Sequence, residues 1–272
     1  MPAMVSRPGA LLAVLVLCVA WSAQAAESPA LARARARYNA GDFDGAIAEA
    51  GQARQQPQWA DAASLVLARA YIERYRQGSS QADLVTARET LVMVRSAALG
   101  PRDRVGLLIG MGQALYFADL FGASADLFET ALAQSAMVSA QDKDASLEWW
   151  AMALDRDARS RPADRRVAVF ARVTGRMEEE IGINPSSAVA NYWLPAAARG
   201  AGDLDRAWAA AIAGWVRASL ADPRTDTLRA DLDALVVGAL IPERAKARPP
   251  REQQTASAAL RAEWELVKQH WK

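Results

Sequence analysis

The sequence is short of the residues that most enzyme chemistry needs. It holds one cysteine, Cys18, and one histidine, His270, the latter two residues from the C-terminus. Neither a Cys/His nor a Ser/His/Asp nucleophile can be assembled from that pair. A zinc site with histidine or cysteine ligands is excluded on the same ground. Neither sign of charge is in excess, with 32 Lys and Arg against 31 Asp and Glu. A nucleic-acid binder would show a basic surplus on one face. Runs of β-branched residues are scarce, and no period-2 alternation lasts long enough to make a strand. Carboxylate chemistry alone survives the inventory.

The beginning of the chain reads as an export signal. Arg7 is the only charged residue before Glu27, "ALLAVLVLCVAW" (10–21) is apolar, and "SAQAA" ends the run with small residues at Ala23 and Ala25. That is a charged start, an apolar centre and a small-residue cleavage site. The apolar run falls short of the roughly 20 residues of a membrane anchor. Cleavage is therefore expected near Ala25–Ala26, making 1–26 a signal peptide. Leu17 is too large for the residue before a lipidated cysteine, so Cys18 is not read as an anchor. The mature chain is expected to be periplasmic or secreted, without cysteine and without a transmembrane segment.

Alanine, leucine and arginine fill the remainder. These are good helix formers, and apolar residues recur mostly at i, i+3, i+4 and i+7. About twelve helices are expected, separated at glycine and proline signals. The breaks fall at Gly41, Pro57, 77–80, Gly100-Pro101, Arg161-Pro162, Asn184-Pro185, Gly202, Asp222-Pro223 and Pro242. The segment 242–254, "PERAKARPPREQQ", reads as a Pro-rich linker before one last helix.

One stretch poses a choice. In "YNAGDFDGAIAEA" (38–50), Asp42 and Asp44 flank Phe43, as carboxylates in ligand loops can. A calcium loop needs several more oxygen ligands at close alternating spacing, whereas alanine and isoleucine follow here. The stretch reads as a bend: Gly41 ends one helix, Asp42 or Asp44 caps the next, and Phe43 packs between them. "AGDLDRAWAAA" (201–211) repeats the pattern of "AGDFDGAIAEA" (40–50).

With these motifs the chain resembles the tetratricopeptide-repeat (TPR) family of helix-turn-helix arrays. The fullest match is "NPSSAVANYWLPAAARGAGDLDRA" (184–207), with Asn-Pro at the junction, Leu194 on the first helix, Gly202-Asp203 at the turn and Ala207 on the second. Pro195 and Gly214 depart from the pattern. Leu67, Ala68 and Tyr71 fit a second repeat, whose turn "RQGSSQAD" (76–83) reads as lengthened. Gly112, Phe121, Phe128 and Ala131 fit a third. A fourth, 142–183, has Trp150 in place and a long break at "SRPADRR". The resemblance implies an all-α solenoid of about five helix pairs over 27–222, followed by a C-terminal helical extension, 223–272.

It also implies a concave groove lined by the first helix of each pair. Carried over residue by residue, the groove side chains are Arg35 and Tyr38, Arg69 and Glu73, Gln113 and Tyr116, Asp155, and Tyr192, Trp193 and Arg199. Aromatic and arginine side chains are the usual anchors of binding surfaces. The Asn/Lys set with which the family grips acidic C-terminal peptides is not found. Other reading of Tyr192 and Trp193 makes them inter-repeat core.

Three further stretches read as structural. Trp149 and Trp150 in "LEWWAMALDRDARSR" diverge by about 100° on a helix and cannot share one sugar platform; Asp155 and Asp157 diverge likewise. Glu178–Glu180 read as a solvated charge run. Gly106 and Gly110 read as sites of close helix packing in the core.

The sequence thus points to an exported scaffold that binds a peptide or partner protein in its groove, with no catalysis, no cofactor, no metal and no nucleic acid. Two alternatives remain. One is a small-ligand-binding accessory of a transport system, with a closed pocket around Tyr116, Trp150 and Trp193. The other is a carboxylate-dependent glycan hydrolase, which needs two acids converging in a cleft.

Overall fold

The computed structural model describes residues 27–272, so the expected signal peptide and Cys18 lie outside it. Among the described residues the chain is all-helical. The helices are α1 (Pro29–Asn39), α2 (Phe43–Ala53), α3 (Ala60–Gly78), α4 (Gln81–Met93), α5 (Pro101–Tyr116) and α6 (Phe121–Leu132). They continue with α7 (Ala140–Arg159), α8 (Ala163–Ile183), α9 (Ala188–Gly200), α10 (Leu204–Arg217), α11 (Thr225–Leu235), α12 (Ile241–Lys246) and α13 (Gln253–His270). A π-helical segment, Val236–Leu240, joins α11 to α12 without a break.

Each of α1 to α10 packs on the next helix in the chain, and short turns make such neighbours antiparallel. The odd-numbered helices also touch in series, α1 to α3, α3 to α5, and on through α7 and α9 to α11. Three apolar clusters follow along the stack. The first joins α1 to α5 around Leu31, Ile72 and Leu91. The second joins α5 to α10 around Phe128, Leu147 and Met177. The third joins α9 and α10 to α11, α12 and α13 around Trp208, Leu232 and Trp264.

The bend at 38–50 is built as its residues require. Gly41 takes φ +77°, in the left-handed region open to glycine. Asp42 caps α2 by accepting from the Gly45 backbone N–H at 2.9 Å. Asp44 does not cap; it pairs with Arg74 of α3 at 2.8 Å. Phe43 packs on Tyr38, ring centroids 5.8 Å apart. The α9–α10 turn repeats this arrangement, with Gly202 at φ +83° and Asp203 accepting from the Arg206 N–H at 3.0 Å.

Two turns are shorter than the sequence suggests. Only Ser79 and Ser80 separate α3 from α4, because α3 extends to 19 residues. Only residues 160–162 separate α7 from α8, helices of 20 and 21 residues. Strong helix formers in the flanks carry the helices into segments that the polar residues had marked as loop.

Pro242 does not interrupt the chain either. It sits in the first turn of α12, directly after the π segment. A widened turn there displaces the carbonyl that a proline ring would otherwise meet four residues back. The connection to α13 accordingly spans 247–252. That last helix docks: Trp264, 1% exposed, packs on Trp208 and Trp215 with centroids 6.2 and 5.4 Å apart. Its indole N–H donates to Asp233 at 2.7 Å. The Trp271 carbonyl accepts from Trp215 at 2.9 Å and from Arg229 at 3.0 Å.

Candidate functional site

The odd-numbered helices share a surface with four adjoining depressions. The first, between α1, α3 and α5, is lined by Arg35, Tyr38, Arg69 and Asp142 among others. The second shares Tyr38, Arg69 and Asp142 with it and adds Glu73, Gln113 and Trp149. Arg76 and Trp149 carry the surface into the third, and Tyr116, Glu148 and Met152 carry that into the fourth. The fourth, about 370 Å³, is closed by Asp155 of α7, Tyr192 and Trp193 of α9, and Leu228 and Asp231 of α11. Together they make one trough, to which α1, α3, α5, α7, α9 and α11 all contribute side chains.

The trough floor is held by internal ion pairs and hydrogen bonds. Arg35 reaches Glu27 at 2.8 Å and Asp103 at 2.9 Å. The Arg69 guanidinium lies 4.9 Å over the Tyr38 ring and 3.6 Å from Asp142. Burial alone would lower its pKa, but the charges around it, chiefly Tyr38, Asp142 and Glu73, raise it overall. Burial raises the Tyr38 phenol well above its ordinary value despite that guanidinium. Glu73 accepts from Gln113 at 3.1 Å and from Arg76 at 2.5 Å. Gln113 is 2% exposed, and its Oε1 has no hydrogen-bond partner.

The other half is aromatic. Tyr116 meets Phe117, Phe121 and Trp149 edge-on, with centroids 5.6, 5.2 and 5.1 Å away. Tyr192 and Trp193 meet edge-on at 5.6 Å. Asp155 is bonded by Arg159 at 2.5 Å. Burial raises the Tyr192 phenol, and Asp231, Asp155 and Glu148 raise it further against Arg199.

Nine of the ten side chains expected in a groove line these depressions. Arg199 does not: it donates to both carboxylate oxygens of Glu243 on α12, at 2.9 and 2.6 Å, and ties α9 to the C-terminal helices. Trp149 and Trp150 are both buried in the core, Trp150 with Arg172 5.6 Å over its ring, and Trp149, 8% exposed, also borders the trough. Of the three residues of the expected closed pocket, Tyr116 and Trp193 line the fourth depression together and Trp150 does not. Asp157 turns from Asp155 to bond Arg161 at 2.6 Å, so those two acids do not converge. Glu180 is no solvated glutamate: it is 3% exposed and accepts from Lys143 at 2.7 Å.

Sequence reasoning missed Glu148, Met152, Asp231 and Arg76 as lining residues. The signal for two of them was present, since Glu148, Met152 and Asp155 recur at i, i+4 and i+7 along α7. Comparison of the chain with protein-family models, with curated proteins and with solved structures returns no match in any of the three.

Proposed function

We propose that this chain is a binding module, a TPR-like solenoid whose five helix pairs, α1/α2 to α9/α10, hold an extended peptide or a segment of a partner protein along the trough. The observation that carries this reading is continuity: one open surface, fed by every odd-numbered helix from α1 to α11, carries Tyr38, Tyr116, Tyr192 and Trp193 in sequence, with the buried Trp149 bordering it. Aromatics on rigid helices supply contact area at small entropic cost. The charged side chains between them are largely paired with one another, which suits recognition more than proton transfer. The reading includes binding in the periplasm or outside the cell, and what supports that part is the charged start, apolar run and small-residue end in the sequence of residues 1–26. α11–α13 close the last repeat by covering the apolar face of α9 and α10.

A photo-crosslinking residue at Met152, on the trough, should capture the same partner from envelope extract as one at Glu148. It should fail from Val167, exposed on α8. Capture should also be lost in a Tyr192→Ala/Trp193→Ala variant with an unchanged helical circular-dichroism spectrum. Equal capture from Val167, or capture that survives the double substitution, would remove the trough as the working surface.

A further inference from the structure

Gly106, Gly110 and Gln113 recur at i, i+4 and i+7 on one face of α5, and Arg69 of α3 lies across the two glycines. A β-carbon at Gly106 would stand 3.6 Å from Arg69 Nη1, and one at Gly110 3.4 Å from its Cγ. Gln113, 2% exposed, donates to one oxygen of Glu73 at 3.1 Å, and the other oxygen accepts from Arg76 at 2.5 Å. That carboxylate fixes the amide, because a reversed amide would set oxygen against oxygen. So oriented, Gln113 Oε1 has no donor, and the Arg69 Nε–H has no acceptor. Asp142 stands 3.6 Å from Arg69 Nη2, beyond hydrogen-bond length. Both unfilled atoms are buried, where an unmet donor or acceptor is costly. Their residues line the second depression, whose volume of about 300 Å³ matches the smallest ligand sites, roughly 300–1,000 Å³. That is room for one side chain.

We infer that this second depression is a subsite for a neutral carboxamide, the glutamine or asparagine side chain of the bound chain, which donates to Gln113 Oε1 and accepts from Arg69. The inference rests on the reading of the trough as a peptide groove and names the residue class selected there. A carboxamide carries a donor and an acceptor in one planar group. A carboxylate would bring no hydrogen to Oε1 and would stand beside Glu73 and Asp142. An ammonium would bring no acceptor to Arg69 and would stand among guanidiniums. A bound group that fills both atoms recovers the cost of leaving them unmet.

The charges of the lining are largely engaged already. Glu73 is held by Arg76 and Gln113, and Asp142 accepts from the Ser139 hydroxyl at 2.7 Å while its other oxygen faces Arg69. Arg102 is the one cation of that lining without an ion pair among the described residues, and it is exposed at the rim. What the interior lacks is therefore a hydrogen-bond partner of each kind, not a counter-charge. Arg76, half-exposed, borders the depression and can swing outward to admit the side chain.

The test uses residues 27–272 and fluorescent nine-residue peptide pools, capped at both ends, with a central glutamine, asparagine, methionine, glutamate or lysine. The other positions are randomised over residues outside that set. Methionine matches glutamine in length without its donor and strong acceptor. Fluorescence anisotropy should show at least one carboxamide pool binding about tenfold tighter than the methionine pool. Gln113→Met should abolish that preference. Arg69→Lys, which keeps the charge beside Asp142 and loses the Nε–H, should cut it without removing the buried amide. Gln254→Met, the same change on an exposed position of α13, should keep it. A preference unchanged in folded Gln113→Met and Arg69→Lys variants would overturn the subsite. Equal binding of carboxamide and methionine pools would overturn it too and leave the peptide groove standing. A preference for glutamate would overturn it in favour of an anion at Arg69 and Arg102, and one for lysine in favour of a cation at Glu73. N-acetylglutamine amide alone binding as tightly as the pools would keep the carboxamide site and remove the extended-chain reading. No binding by any pool at millimolar concentration would overturn both.

Discussion

The backbone carbonyl oxygen of Asn191 lies 2.9 Å from where a β-carbon on residue 214 would stand. The same carbonyl is the one to which residue 195 would donate in a regular helix, and residue 195 is proline, without an N–H. The two departures from the repeat pattern, Pro195 and Gly214, are thus one feature: α10 comes against α9 at a carbonyl that its own helix leaves free. Gly214→Ala should destabilise by about 1–3 kcal/mol through overpacking, although alanine is intrinsically the better helix former. Urea denaturation measures it. Gly175→Ala in α8, where a β-carbon meets nothing within 4 Å, is the control and should gain roughly 0.5–1 kcal/mol. If both variants gained stability, the close approach of α9 and α10 would carry no energetic weight.

Glycines at helix contacts should rank by what stands opposite. A β-carbon at Gly200 would lie 2.5–2.6 Å from three ring atoms of Phe170, a buried aromatic fixed in the core. At Gly110 it would meet Leu91 Cδ2 at 3.2 Å and Arg69 Cγ at 3.4 Å, both on side chains able to give way. Gly200→Ala should therefore lower the melting temperature clearly more than Gly110→Ala. Gly110→Leu, with three more carbons to place, should cost about 1–3 kcal/mol. The reverse order for the two alanine variants would show that the Phe170 ring is free to move.

How far the sequence carries can be judged from particular residues. Helix type and most breaks were legible because Gly41, Pro101, Pro185 and Gly202 act locally, through φ and a missing N–H. Tyr38, Tyr116, Tyr192 and Trp193, expected on one surface, do line the depressions, because helical periodicity fixes which face a side chain takes. Arg199 was misplaced in the groove because its partner, Glu243, lies 44 residues on, and long-range pairing leaves no periodic trace. Glu180 looked solvated for the same reason, with Lys143 37 residues away. Asp231 escaped because α11 lies beyond the repeats from which the groove was extrapolated.

Trp264 ties the last helix to the stack. It is the one residue of α13 in the buried core, seated between Trp208 and Trp215. Trp264→Ala removes the indole, its bond to Asp233 and both ring contacts, at a cost of about 3–5 kcal/mol for a buried aromatic. Because α13 contributes so little else to the core, the loss should be local. Hydrogen exchange in 253–270 should rise toward that of an isolated helix, while α3 and α5 keep their protection. Uniform loss across the chain would show instead that α9 to α13 and the earlier helices unfold as one unit.

The Asp233 carboxylate makes the docking of α13 sensitive to acid. Burial pulls its pKa upward, but hydrogen bonds from Lys268 at 2.9 Å and Trp264 at 2.7 Å, with the Lys268 charge, hold it below the ordinary carboxylate value. A carboxyl whose folded pKa is depressed stabilises fully above its unfolded pKa, about 3.9. That stabilisation is lost as pH falls through the folded value. Exchange of α13 amides, corrected for the intrinsic pH dependence, should therefore accelerate below about pH 4 and stay flat from there to neutrality. Glu265 also reaches Lys268, at 2.7 Å, so the substitution is decisive. Asp233→Asn should raise exchange near neutrality and remove most of the acid response, whereas Glu265→Gln should leave it in place. An undiminished acid response in Asp233→Asn would assign the pH dependence to other carboxylates.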